Sequence, residues 1–160
     1  MEKEFLQTIN EHQGIIAKVC RMHCTTPADA EDLFQEIVLQ LWKAWPAFNR
    51  QSKVSTWLYR ISLNTAITRF RRSRTTPVFR PLGVDSDNYA EPPPQRIDVQ
   101  YAPELQQAIS RLNKFDKSLL LLYLDDKTYS EIAEILGLSI SNVGVKINRI
   151  KKKLKEMLQP

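Results

Sequence analysis

The chain has 160 residues and a formal net charge of +5, enough for one domain or two small ones, each with a modest core. The positive balance favours a polyanionic partner, either nucleic acid or an anionic membrane surface. There is no apolar run of the roughly eighteen residues that a membrane helix needs, and Met1-Glu2-Lys3-Glu4 does not open like a secretory signal, so a soluble, cytoplasmic protein is expected.

From Glu2 to about Met22, Phe5, Leu6, Ile9, Ile16, Val19 and Cys20 recur at three- and four-residue steps, the period of an amphipathic helix whose role is packing. Near its end Cys20, His23 and Cys24 share one helical face. Three soft ligands at this spacing suit a zinc- or redox-sensing module. The plainer reading is two reduced, partly buried thiols, because no second ligand pair with zinc spacing occurs elsewhere. No metal or cofactor is therefore expected.

Thr26-Pro27-Ala28-Asp29 reads as a helix start, with a capping hydroxyl, proline at the first helical position and a carboxylate where the helix dipole favours it. The stripe that follows, Leu33, Phe34, Ile37, Val38, Leu41, Trp42 and Trp45, is wider than one neighbouring helix requires, and Pro46 ends it. Asp29, Glu31, Asp32 and Glu36 lie beside the stripe. First-turn carboxylates compensate a dipole, but Glu36 lies beyond the first turn. An acidic and apolar helix of this kind would repel DNA and suits a protein partner.

Phe48 to Val54 is too polar and too short for an element and becomes a loop carrying Arg50 and Lys53. The next helix mixes Trp57, Tyr59 and Phe70 with Arg60, Arg69, Arg71 and Arg72, and no Asp or Glu occurs from Pro46 through Val84. Trp57, Leu58 and Ile61 are expected in the core. The basic residues suit nucleic acid: stacking a base on a ring is worth ~1–3 kcal/mol, and each cation near a phosphate adds a salt-sensitive term.

Thr75 to Pro103 holds Pro77, Pro81, Pro92, Pro93 and Pro94 without apolar period, and reads as a linker; the alternative is that Val78, Phe79, Leu82 and Val84 dock on one domain or thread a groove in a partner. Beyond it, Leu105, Ala108, Ile109 and Leu112 mark one helix and Phe115 to Leu124 another, followed by a turn at Asp125-Asp126-Lys127. Thr128-Tyr129-Ser130-Glu131 has the form of a capping box, Gly137 supplies a tight turn, and Ser139 caps a final helix to about Leu158. Two short helices around a glycine turn, the second rich in lysine, make a helix-turn-helix. In that motif Ser141, Asn142, Val145, Asn148 and Arg149 reach major-groove base edges, while Lys146, Lys152 and the neighbouring lysines hold phosphates. The fold expected is all-α: two small helical domains, 1–74 and 103–160, joined by a Pro-rich linker at 75–102, the second a helix-turn-helix domain.

The stretches DAEDLFQEIVLQLWKAWPAF, STWLYRISLNTA and YSEIAEILGLSISNV, in this order and at this separation, resemble the bacterial RNA polymerase sigma factors of the extracytoplasmic-function (ECF) group. The resemblance covers both domains. It implies that the acidic helix docks on the clamp helices of core RNA polymerase through Asp29, Asp32, Gln35, Glu36 and Leu39. It implies that the following loop and helix separate the strands of the promoter's minus-ten element and hold an extruded base. The matching positions are Asn49, Arg50, Gln51, Ser52 and Lys53, with Trp57, Tyr59, Arg60 and Asn64 beyond. The C-terminal domain would read the minus-thirty-five element. The implied partners are the polymerase core, promoter DNA and an inhibitory anti-sigma protein that covers the same surfaces.

The sequence departs from the family's pattern in places. Gly144 stands where the family usually presents a lysine or arginine, and Val145 replaces a small polar residue. Arg50 occupies a place often held by glycine, and Val54 one often held by phenylalanine. The rival reading is a stand-alone helix-turn-helix regulator that dimerises through its N-terminal helices and binds a palindrome without polymerase. No Ser/His/Asp set, phosphate loop or paired-carboxylate cleft emerges, and neither His12 nor His23 has an evident partner, so no catalytic residue is assigned.

Overall fold

The computed structural model describes residues 1–75 and 103–159, with the side chains of residues 70–75 outside that description. Apart from residue 75, which ends a helix, the expected linker at 75–102 lies outside the described residues. Within them the regular structure is helical, as the all-α expectation requires: α1 (Glu2–His23), α2 (Pro27–Ala44), α3 (Val54–Thr75), α4 (Pro103–Ser110), α5 (Lys114–Leu124), α6 (Tyr129–Leu136) and α7 (Ile140–Leu158). A 3-10 turn, Trp45–Ala47, follows α2 at Pro46.

The start and stop signals act as local chemistry dictates. Thr26 accepts a hydrogen bond from the Asp29 N–H at 3.1 Å, with Pro27 at the first helical position. Thr128 accepts from the Glu131 N–H at 3.1 Å and its hydroxyl donates to the Glu131 carboxylate at 3.2 Å, a capping interaction that fixes the start of α6. Gly137 ends that helix at φ 71°, in the left-handed region where a Cβ is disfavoured.

In the N-terminal half, α1, α2 and α3 pack on one another. Ile16 and Val19 of α1, Leu33, Ile37 and Leu41 of α2, and Leu58 and Leu63 of α3 are buried between them. Full burial of such side chains stabilises by roughly 1.5–3 kcal/mol each before chain entropy is counted. The C-terminal half closes around Ile109, Leu119, Leu122, Ile132, Val143, Ile147 and Ile150. The sequence does not orient the halves. In the structure they meet, with α5 lying on α1 and with α5 and α6 lying on α3.

Candidate nucleic-acid and protein interfaces

On α2 the three- and four-residue steps place Asp32, Gln35, Leu39 and Trp42 outward, with Asp29 exposed one turn earlier and Glu36 half-buried at the edge. Leu39 is 49% exposed and Trp42 43%, although the Trp42 ring lies 5.0 Å from that of Phe5. This explains the wide stripe: Leu33, Ile37 and Leu41 fill the core, and its flank stays open beside carboxylates. Arg69 of α3 reaches back to this helix. Its guanidinium lies 3.7 Å from Glu36 and 3.9 Å from Asp32, and donates to the Asp29 carbonyl at 3.4 Å.

The loop between α2 and α3 is framed by rings. Phe48 stacks on Trp57 at 4.5 Å, and Trp45 meets Trp57 edge-on at 5.8 Å. Between these anchors Asn49, Arg50, Gln51 and Lys53 are exposed and Ser52 is half-buried. The Asn49 side-chain oxygen accepts from the Gln51 N–H at 3.2 Å. Arg50 adopts φ 59°, in the left-handed region that favours glycine. Its contact with Glu4, 3.9 Å between two exposed side chains, contributes little.

Trp57 and Leu58 are buried and Ile61 is half-buried, while Asn64 is exposed. Tyr59 is wholly buried, and its hydroxyl donates to Asp125 at 2.5 Å. Lys18 of α1 donates to the other Asp125 oxygen at 2.8 Å. Partial burial pushes the Asp125 carboxyl up, but the bonds from Lys18 and Tyr59 and the nearby Lys127 outweigh it and hold it below the usual range. Burial, then the bond to Asp125, raises the Tyr59 phenol well above its ordinary value. Arg60 donates to the Glu134 carbonyl at 3.1 Å and lies 3.8 Å from the Glu134 carboxylate. Tyr59 and Arg60, both expected at the minus-ten DNA, are thus engaged by the C-terminal half. The side chains of Arg71 and Arg72 lie outside the described residues.

A second contact between the halves surrounds His23. Its ring is buried, with Nε2 3.1 Å from the Ser118 hydroxyl, and its backbone carbonyl accepts from Lys114. Burial, then the Lys114 and Lys117 ammoniums, push the imidazole down to about 3. Burial pushes the neighbouring Cys20 thiol up to about 12 and also raises Cys24. Cys20 sits in the core, Cys24 is half-buried and His23 faces α5, and burial favours the protonated form of both thiols.

On α7 Ser139 accepts from the Asn142 N–H at 3.2 Å and sets the start of the helix. Val143, Ile147, Ile150 and Leu154 face inward, and Ser141, Asn142, Val145, Asn148, Arg149 and Lys152 form the opposite, exposed side. Lys146 departs from that side: it is half-buried, with its ammonium 5.4 Å from the centroid of the Phe115 ring.

The residues that sequence reasoning passed over are those joining the halves: Lys18, Lys114, Ser118, Asp125 and Glu134. Asp125 read only as part of a turn. Two neighbouring carboxylates in a turn give no signal of a partner more than a hundred positions away, so only the folded path of α1 and α3 discloses it.

The Sigma-70 region 2 family model matches residues 8–76, and the Sigma-70 region 4 model matches residues 103–154. RNA polymerase sigma factor YlaC of Bacillus subtilis (strain 168) is 30% identical over 79% of this chain and 76% of its own length. The ECF RNA polymerase sigma factor SigW of the same organism is 26% identical over 97% of this chain and 89% of its own. The solved structure of the sigma factor RpoE in complex with the anti-sigma factor NepR, from Bartonella quintana, shares the fold at a TM-score of 0.66. That match covers 99% of this chain and 96% of the other at 20% identity. With two helical halves in the order of the matched regions and relatives that span both, the chain belongs to the ECF group of RNA polymerase sigma factors.

Proposed function

We propose that this sigma factor divides its work among three segments: residues 1–74 bind core polymerase and the minus-ten element, 75–102 link, and 103–160 read the minus-thirty-five element. Core polymerase docks on Asp29, Asp32, Gln35, Glu36 and Leu39, whose carboxylates sit beside exposed apolar surface on α2. Strand opening uses the exposed loop Asn49 to Lys53 with Asn64 and the arginines of α3. Trp57 supports that loop from below, through its stack with Phe48. Tyr59 and Arg60 join the DNA face once the halves separate. Ser141, Asn142, Val145, Asn148 and Arg149 read base edges, with Lys146 and Lys152 near phosphates. The polymerase performs the phosphoryl transfer and the chain itself catalyses nothing.

The observation that carries this reading is α7, where cap, glycine turn and buried stripe leave Ser141, Asn142, Asn148, Arg149 and Lys152 facing outward on one largely polar and basic side around Val145. An inhibitory anti-sigma protein that covers α2 and α7 would block both functions together, and the likeness to a sigma factor captured with its anti-sigma partner supports this. Run-off transcription from partner-free core polymerase, with and without the purified chain, tests the reading: promoter-specific transcripts arise only with the chain. Glu36→Arg abolishes co-elution with core polymerase. A chain that fails to co-elute with the core but footprints a palindromic duplex by itself is a stand-alone regulator instead.

A further inference from the structure

The outward side of α7 carries an apolar interruption. Val145 is 48% exposed and stands opposite the buried stripe, between Ser141 and Asn148 and one turn from Arg149. Beside it Gly144 occupies a helical position for which the fold supplies no need. Its φ is not positive, and a Cβ built there would lie 3.5 Å from Cε2 of Tyr129, an ordinary van der Waals contact. Alanine would fit and would favour the helix more, so glycine here costs stability without an internal return. Glycine without an internal reason suits a place where the backbone comes close to something outside the molecule.

Resting on the proposed reading of the minus-thirty-five element by α7, we propose that Gly144 and Val145 form a shallow apolar notch that reads the 5-methyl group of a thymine. The major-groove edge of a T·A pair differs from the other pairs by this methyl, which an apolar side chain recognises and a serine does not. Gly144 lets the helix axis approach the base, and Val145 supplies the apolar surface. Polar Ser141 and Asn148 and cationic Arg149 on the same side fix the helix over neighbouring bases and phosphates. The chemistry of the notch therefore assigns one position of the promoter element to thymine.

The test uses the reconstituted holoenzyme, core polymerase with the full chain, and a duplex it selects from a pool randomised at the upstream element. Thymines of that duplex are then replaced singly by deoxyuridine, which removes the methyl and nothing else. One such replacement weakens the wild-type complex by about fourfold, the value of burying one methyl, and leaves the Val145→Ser complex unchanged. The pool selected by Val145→Ser loses its preference for thymine at that position. Gly144→Ala raises the thermal midpoint of the free chain while weakening the promoter complex, a pairing that a merely structural glycine does not give. Indifference of the wild type to every deoxyuridine, or an equal loss in Val145→Ser, overturns the proposal. Failure of the wild-type holoenzyme to select any duplex overturns the function itself, and is told apart because the unmodified DNA fails as well.

Discussion

His23 sets an acid limit on the fold. It is buried against α5 below two ammoniums, and its imidazole titrates near 3 in the folded chain against about 6.5 when unfolded. A base with a lowered folded value is protonated first in the unfolded state. The stabilisation is therefore complete above about pH 6.5 and drains as the pH falls toward 3, by up to ~1.4 kcal/mol per pH unit. Denaturant midpoints of the wild type fall between about pH 6.5 and 4. His23→Gln, which keeps a polar group facing Ser118, flattens that part of the curve; equal slopes would mean that another group titrates. Arg50 makes the converse case, in which the role proposed for the side chain at the minus-ten element runs against its own backbone. At φ 59° glycine is the better residue, so Arg50→Gly changes stability by less than about 1 kcal/mol, relief of strain offsetting the looser unfolded chain. It still slows promoter opening by the holoenzyme, measured with a fluorescent base at the minus-ten element. Equal loss of stability and opening would make Arg50 structural.

At the scale of the element, most of what the sequence states is local, and local signals are legible. The starts of α2, α6 and α7 need a hydroxyl, and the end of α6 a glycine, all within a few residues of the boundary. Ser139→Ala removes the acceptor for the Asn142 N–H and lowers stability by about 1 kcal/mol, readable as a drop in thermal midpoint. An unchanged midpoint would show the cap to be dispensable. Which faces of a helix are covered is a different matter. Trp57 and Tyr59 lie on roughly opposite sides of α3, yet both are buried, because α3 is covered by α1 and α2 on one side and by α5 and α6 on the other. Rings interleaved with arginines look the same whether a base or another helix covers them. By sequence Arg69 groups with the cations expected at DNA, and the path of α3 in addition brings its guanidinium to Asp32 and Glu36 of α2.

Across the whole molecule, the contacts between the halves are those that the proposed separation on polymerase would break. Lys18 and Tyr59 close on Asp125, Arg60 on Glu134, and Lys114 on the His23 carbonyl, so each contact draws one partner from either side of the linker. Asp125→Ala leaves the Tyr59 hydroxyl buried without its acceptor, which costs about 1–3 kcal/mol, and frees Lys18 as well. The halves of this variant separate while each keeps its helices: the radius of gyration from small-angle scattering rises and the far-ultraviolet circular dichroism does not change. The pH window follows from the same groups. Asp125 has a lowered folded value, so its contribution is present above about pH 4 and lost below it, whereas Tyr59 has a raised one, so its contribution is present below about pH 10 and lost above it. The contact at Asp125 is therefore weakened outside those limits on both sides, while the His23 contact already weakens below about pH 6.5. Because a binding-competent state that is only partly populated weakens apparent affinity by its fraction, Asp125→Ala also binds core polymerase and promoter more tightly than the wild type. An expanded variant with unchanged affinity would show that polymerase takes up the closed chain, and an unexpanded one that Asp125 does not hold the halves together.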